Sequence, residues 1–118
     1  MKKICVIFRK SPIGNTSSRE GLDFAMLSAS FEQEVSIIFT DEAVLHLLPE
    51  QQPELVGSKD YLSTFKALSL YDIDTVLVCQ NSAVQFGITS KDFNFEAELA
   101  SEKHIQTLIQ QSNEVVVY

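Results

Sequence analysis

Short continuous apolar runs alternate with amphipathic stretches along this chain. Ile4 to Phe8 (ICVIF), Val35 to Phe39 (VSIIF) and Thr75 to Cys79 (TVLVC) are apolar runs bounded by polar or turn-forming residues. Such runs suit strands buried on both faces, as in a parallel sheet. Val115 to Tyr118 (VVVY) is predicted as a terminal strand, and Phe93 to Leu99 as a short fourth strand before it. Between the runs the period changes. Leu22, Ala25, Met26 and Ala29 fall at i, i+3, i+4 and i+7, one face of a helix. Ser17-Ser18-Arg19-Glu20 fits a capping box at its start. Thr40 or Asp41 caps a short helix carrying Val44, Leu45 and Leu48, and Pro49 stops it. Glu50 to Gly57, with Pro53, reads as a loop. Ser58 opens a helix with Tyr61, Leu62, Phe65 and Leu68 on one face. Asn81 or Ser82 caps a short helix over Ala83 to Phe86, which Gly87 ends. Ser101 starts a last helix with Ile105, Leu108 and Ile109 on one face.

Apolar strands alternating with helices imply βαβ units, hence a parallel sheet with helices on both faces. The expected architecture is an α/β three-layer sandwich. With 118 residues, positions 1–118 are read as one domain with one core. In open α/β sheets, functional groups gather at the carboxyl ends of the strands. Three segments qualify: Arg9–Thr16, Thr40–Asp41 and Cys79–Ser82.

Composition narrows the function. Apolar residues make up 45% of the chain, and the mean hydropathy is +0.05. That is enough to build a core and argues against disorder. Sixteen acidic residues outnumber nine basic ones, for a formal charge of -7. Binding nucleic acid unaided needs a basic footprint, because phosphate neutralisation dominates such affinity. Direct nucleic-acid binding by this chain alone is therefore not expected. The apolar run after Met1-Lys2-Lys3 stops at Phe8, too short for a signal core or a membrane span. A reducing, cytoplasmic setting is expected, so Cys5 and Cys79 are not read as a disulfide.

Cys79 is the thiol best placed for chemistry. It closes a predicted central strand and precedes a predicted helix. A thiol near a helix N-terminus can fall from a pKa of about 8.5 into the range ~3.5–7.5. A thiolate can both attack and carry sulfur. The competing reading is a small apolar residue finishing a strand. Cys5 lies inside the first apolar run and is assigned to the core. Ser11-Pro12-Ile13-Gly14-Asn15-Thr16-Ser17 has the look of a phosphate-cradling loop like that of flavodoxins, which would make the chain a small flavin- or nucleotide-binding module. The same residues also simply make turns and caps. His46 and His104 have no spaced partners that suggest a metal site, and Arg19 with Glu20 is read as a helix start. No cofactor or metal is expected.

Arg19-Glu20-Gly21-Leu22-Asp23, then Leu47-Leu48-Pro49 with Pro53, then Asp60-Tyr61, Thr64-Phe65-Lys66 and Leu70-Tyr71-Asp72-Ile73 resemble, in order, the DsrF-like branch of the DsrE/DsrF/DsrH superfamily. The resemblance implies a single domain with a mainly parallel five-stranded sheet. It implies assembly with TusB-like and TusD-like sister subunits, usually as a heterohexamer. It implies a sulfurtransferase complex that passes persulfide sulfur to a TusE-like carrier, for 2-thiolation of the wobble uridine of tRNA. The superfamily's reactive Cys closes a strand in a Cys-x7-Gly pattern, which Cys79 and Gly87 match. The resemblance also assigns the carrying role to the TusD-like sister, leaving this chain an auxiliary place. Tyr61, Phe65 and Tyr71 are candidate interface anchors or helix-face core.

Overall fold

The computed structural model describes residues 2–10, 17–47, 68–73, 75–93 and 96–118. Among the described residues, five strands form one sheet: β1 (Lys3–Phe8), β2 (Glu34–Phe39), β3 (Thr75–Cys79), β4 (Glu98–Ala100) and β5 (Glu114–Val117). Their spatial order is β4-β3-β2-β1-β5, and every neighbouring pair is parallel. The chain steps from β1 to β4 in one direction, then crosses back to lay β5 against the free side of β1. Among the described residues, three α-helices join the strands: α1 (Ser17–Ser30), α2 (Gln80–Gln85) and α3 (Glu102–Gln111). A 3-10 helix spans Asp41–Leu47, and a shorter one Leu68–Tyr71.

The apolar runs form strands because both faces of the sheet are covered. On one face, Ile4, Val6 and Phe8 join Ile37, Phe39, Val76 and Val78, and pack against Leu22 and Ala25 of α1 and Val44 and Leu47 of the 3-10 helix. On the other face, Cys5, Ile38, Leu77 and Ala100 lie under Ile105, Leu108 and Ile109 of α3. Burying one such aliphatic side chain is worth roughly 1.5–3 kcal/mol. The layers are therefore helix, sheet, helix, as the alternation of elements requires.

The second cover is thinner. No residue of α3 is fully buried. Val115 and Val117 of β5, level with Cys5 and Ile7, stay 39% and 54% exposed. An apolar strip thus runs from under α3 to the edge of the sheet.

Several boundaries differ from expectation. The fourth strand is three residues, Glu98–Ala100, and not Phe93 to Leu99. A capping box between Thr89 and Asp92 turns the preceding segment into a 3-10 helix, Ser90–Asp92, which delays the entry into the sheet. The helix expected from Thr40 is of 3-10 type, with Asp41 at a left-handed φ of 53°. The helix expected from Ser58, with Tyr61 and Phe65, lies outside the described residues; so do Ser11 to Thr16 and the side chains of the Ser17-Ser18 capping box.

Gly21 sits where α1 crosses β1. A Cβ there would stand 2.6 Å from Cε1 of Phe8 and 2.7 Å from Cδ2 of Tyr118. Phe8 is fully buried and stacks on Phe39, with ring centroids 5.3 Å apart, so it cannot yield. Ala gains about 0.5–1 kcal/mol over Gly in a helix, whereas overpacking costs about 1–3 kcal/mol. Overpacking wins. Gly21→Ala is expected to lower unfolding stability by about 1–2 kcal/mol, read as a lower denaturant midpoint at unchanged slope.

Candidate functional site

The register brings the expected strand ends together. Phe8 pairs with Phe39 and Phe39 with Val78. Arg9, Thr40 and Cys79, one residue further along each strand, therefore emerge side by side at the carboxyl edge. Arg9 Nε donates to Asp41 Oδ2 at 2.8 Å. The Asp41 N–H donates to Ser82 Oγ at 2.9 Å, and Thr40 Oγ1 lies 3.4 Å from the same Ser82 oxygen. The three segments chosen from the sequence thus meet, although the Ser11–Thr16 part of the first lies outside the described residues.

Cys79 leaves β3 and is itself the N-cap residue of α2, with an extended backbone. The cap expected at Asn81 or Ser82 lies two or three residues earlier, at Cys79. Ser82 consequently sits inside the helix and is buried, where it binds the Asp41 backbone instead of capping. Gly87, at φ 68°, ends the helix as expected. That positive φ is what a glycine allows at a helix end.

The Cys79 sulfur faces two influences. Burial pushes its thiol up. The Ser82 hydroxyl and N–H, the Thr40 hydroxyl and the Asn81 N–H oppose that and prevail, so the thiol lies below its ordinary value. Cys79 makes no side-chain cap bond to α2. A thiol is a weak acceptor, so the donors act on the thiolate. Cys79 also opens onto a cleft of about 310 Å³ between the sheet edge and α3, walled by Ile7, Ile38, Ile105 and Ile109 and rimmed by Glu102 and Gln106. Asn81 Nδ2 donates to Glu102 Oε1 at 2.6 Å and closes one side of the rim.

Cys5 shares that face of the sheet but differs in every respect that matters. It is mid-strand and fully buried, and burial pushes its thiol up to about 11 against a weak pull from the Ser112 hydroxyl. The sequence assignments of core thiol and strand-end thiol therefore have opposite electrostatic consequences.

His46 was not singled out by its sequence context, since an isolated histidine on a helix carries no signal. It is fully buried beside the same edge. Its Nε2–H donates to the Lys10 carbonyl at 3.1 Å, because a carbonyl only accepts, and its ring lies 5.8 Å from that of Phe39. Burial lowers its pKa to about 4. His104 and the Arg19–Glu20 pair are exposed on helix surfaces.

Two measurements follow from these contrasts. Iodoacetamide at mildly alkaline pH is expected to label Cys79 in the folded chain and Cys5 only after unfolding, as read by peptide mass spectrometry. The folded His46 is neutral down to about pH 4, while the unfolded one takes up a proton near pH 6.5. The unfolded state then binds more protons, so stability falls with pH between those values. The difference of about 2.5 pH units corresponds to roughly 3 kcal/mol. Urea midpoints are expected to drop from pH 7 to pH 5, and His46→Leu to flatten that slope.

The DsrE/DsrF-like family matches residues 2–118 of the chain. A protein named TusC homolog from Aliivibrio fischeri (strain ATCC 700601 / ES114) is 32% identical over 118 residues, all of both chains. Protein TusC of Klebsiella pneumoniae (strain 342) is 41% identical over 88 residues, covering 75% of this chain and 74% of that protein. Among solved structures, the ychN protein from E. coli superimposes with a TM-score of 0.86 over 100% of both chains at 18% identity, a likeness of fold. With the family matched over nearly every residue and a relative 32% identical from end to end, the chain belongs to the DsrE/DsrF-like family.

Proposed function

We propose that the chain is an auxiliary subunit of a TusBCD-like sulfurtransferase complex, which relays persulfide sulfur for 2-thiolation of the wobble uridine of tRNA in the cytoplasm. What carries the reading is the end-to-end similarity to a protein named TusC homolog, with a match over three quarters of the chain to a protein named TusC. Two features of the chain support it. The excess of acidic over basic residues leaves little footprint for RNA, so contact with tRNA falls to other members of the assembly. Several large apolar side chains are exposed as well: Leu27, Phe31, Val84 and Val117. Exposed apolar surface suits burial against TusB-like and TusD-like sister subunits.

A second reading concerns Cys79. Its lowered thiol pKa and open cleft favour direct participation as a persulfide carrier. In that step the Cys79 thiolate attacks the outer sulfur of a donor persulfide. The donor's S–S bond breaks as a new S–S bond forms at Cys79, and the donor leaves as a thiolate. Electrons balance without an outside oxidant.

Co-expression with TusB-like and TusD-like sisters, followed by native mass spectrometry, is expected to give a stable complex containing this chain. Failure to co-purify under any condition would falsify the auxiliary-subunit reading. Within that complex, Cys79→Ser is expected to leave assembly intact. Treatment with a persulfide donor decides the second reading: one added sulfur atom on Cys79 supports it, and normal tRNA thiolation by the Ser variant rules it out.

A further inference from the structure

Of the two edges of the sheet, β5 is the less protected. The opposite edge strand, β4, is three residues long and opens on Glu98. Shortness and charge both discourage a further strand there. β5 runs from Glu114 to Val117 and is valine at every position after the first. Its backbone is committed to β1 on one side. The Tyr118 N–H donates to the Ile7 carbonyl, and the Tyr118 carbonyl accepts the Arg9 N–H, each at 2.8 Å. Backbone groups alternate between the two sides of a strand, so Val116 also turns toward β1. Val115 and Val117 then aim their N–H and C=O groups outward, where no strand lies among the described residues. The same two residues keep exposed side chains on the α3 face, level with Cys5 and Ile7. Directed backbone groups at alternate residues, with apolar side chains beside them, call for another strand. A helix would meet only the apolar half of that demand.

We propose that β5 pairs with β5 of a second copy of this chain, antiparallel about a twofold axis at Val116, so that two five-stranded sheets become one. In that register the strand is its own complement. Val115 exchanges both backbone hydrogen bonds with Val117 of the second copy, and Val117 does the same with Val115. All four outward groups on each strand are then satisfied, and the four exposed valines meet in directly opposed pairs. The alternatives are poorer. Centring on Val115 sets Val117 against Asn113, whose N–H is already given to the Lys3 carbonyl at 2.7 Å. Centring on Val117 leaves one bonded pair in place of two. Charge permits the approach, although each chain carries -7 overall. Glu114 is paired with Lys2 at 2.8 Å. Opposite it would come Tyr118 of the second copy, where Arg9 and Lys10 share a cavity wall with Asp41 and Glu42. Both signs are present at each end, so neither end repels its counterpart. The contact is smaller than the about 800 Å² per partner of a standard complex, so the dimer is reversible.

Nothing in this pairing needs sulfur chemistry or a sister subunit, so it fails or stands apart from the proposed function. The test uses the full chain carrying Cys79→Ser, to remove the reactive thiol, together with Val116→Cys. Across the proposed axis the two positions 116 form a non-hydrogen-bonded pair with Cα atoms about 4.5 Å apart, within disulfide range. Mild oxidation is expected to give a covalent dimer in which peptide mass spectrometry finds the two introduced thiols joined. Val84→Cys in the same background, exposed on α2 beyond β3, controls for collision. It is expected to crosslink at least about tenfold more slowly, because a seated pair holds its thiols at high effective concentration. Adding Val117→Pro, which removes an outward N–H and spares the bonds to β1, is expected to abolish that advantage. Equal rates for Val116→Cys and Val84→Cys overturn the proposal. So does a Val116→Cys chain that crosslinks to a co-expressed TusB-like or TusD-like sister and not to itself. Should Val116→Cys not fold by circular dichroism, sedimentation of the unaltered chain decides. It must show a reversible dimer that Val117→Lys weakens by roughly tenfold. A monomer at every concentration, or a dimer that Val117→Lys leaves intact, overturns the proposal.

Discussion

Parallel pairing is the constraint on which the site depends. In a wholly parallel sheet every strand delivers its last residue to the same edge. The ladders here have no slip between β1, β2 and β3, because Phe8, Phe39 and Val78 stand in one row. The next row is then Arg9, Thr40 and Cys79. These are the first positions past the apolar runs, where backbone groups lose their ladder partners and must find others. The same requirement that buries Ile37 and Val78 thus gathers a hydroxyl, a thiol and a guanidinium at one place. A slip of one residue would turn Cys79 to the opposite face of the sheet, away from α3.

Helix α2 adds the second condition. It is too short to be stable from its own hydrogen bonds. It is held by Ala83 in the core and by Ser82 on the Asp41 backbone. The polar contacts that settle the helix are therefore also those that surround the sulfur. Stability and chemistry share atoms at this edge, and substitutions there will seldom separate them cleanly.

Much of this was legible in the sequence. Strands β1, β2, β3 and β5 fall within a residue of the apolar runs, since a run buried on both faces ends where burial ends. The Cys79 position and the convergence of Thr40–Asp41 with Cys79–Ser82 follow from that. Ser82 did not follow. Cap statistics place a serine at a helix start, and nothing local reveals that Cys79 already occupies the N-cap. The partner that draws Ser82 inward is Asp41, 41 residues away, in a backbone conformation that no hydrophobic pattern encodes. His46 was missed for a related reason: its burial is a tertiary fact. The short β4 was overextended because Phe93 and Leu99 both carry apolar signal, and only Glu98–Ala100 pairs with β3.

The two cysteines show how little the residue type decides. Both lie on the α3 face, one strand apart from Ile38. Cys5 lies mid-strand, where the burial penalty on its charged form outweighs the pull of the Ser112 hydroxyl. Cys79 is nearly as buried by area, at 8% exposure, but the strand has ended and released N–H groups and hydroxyls around it. Burial raises both thiols, Cys5 being the more deeply enclosed, and the supply of donors differs as well. The acidity of a cysteine in this fold is therefore set by its distance from the carboxyl edge. Whatever chemistry this edge performs, its position was fixed by the sheet before any catalytic residue was chosen.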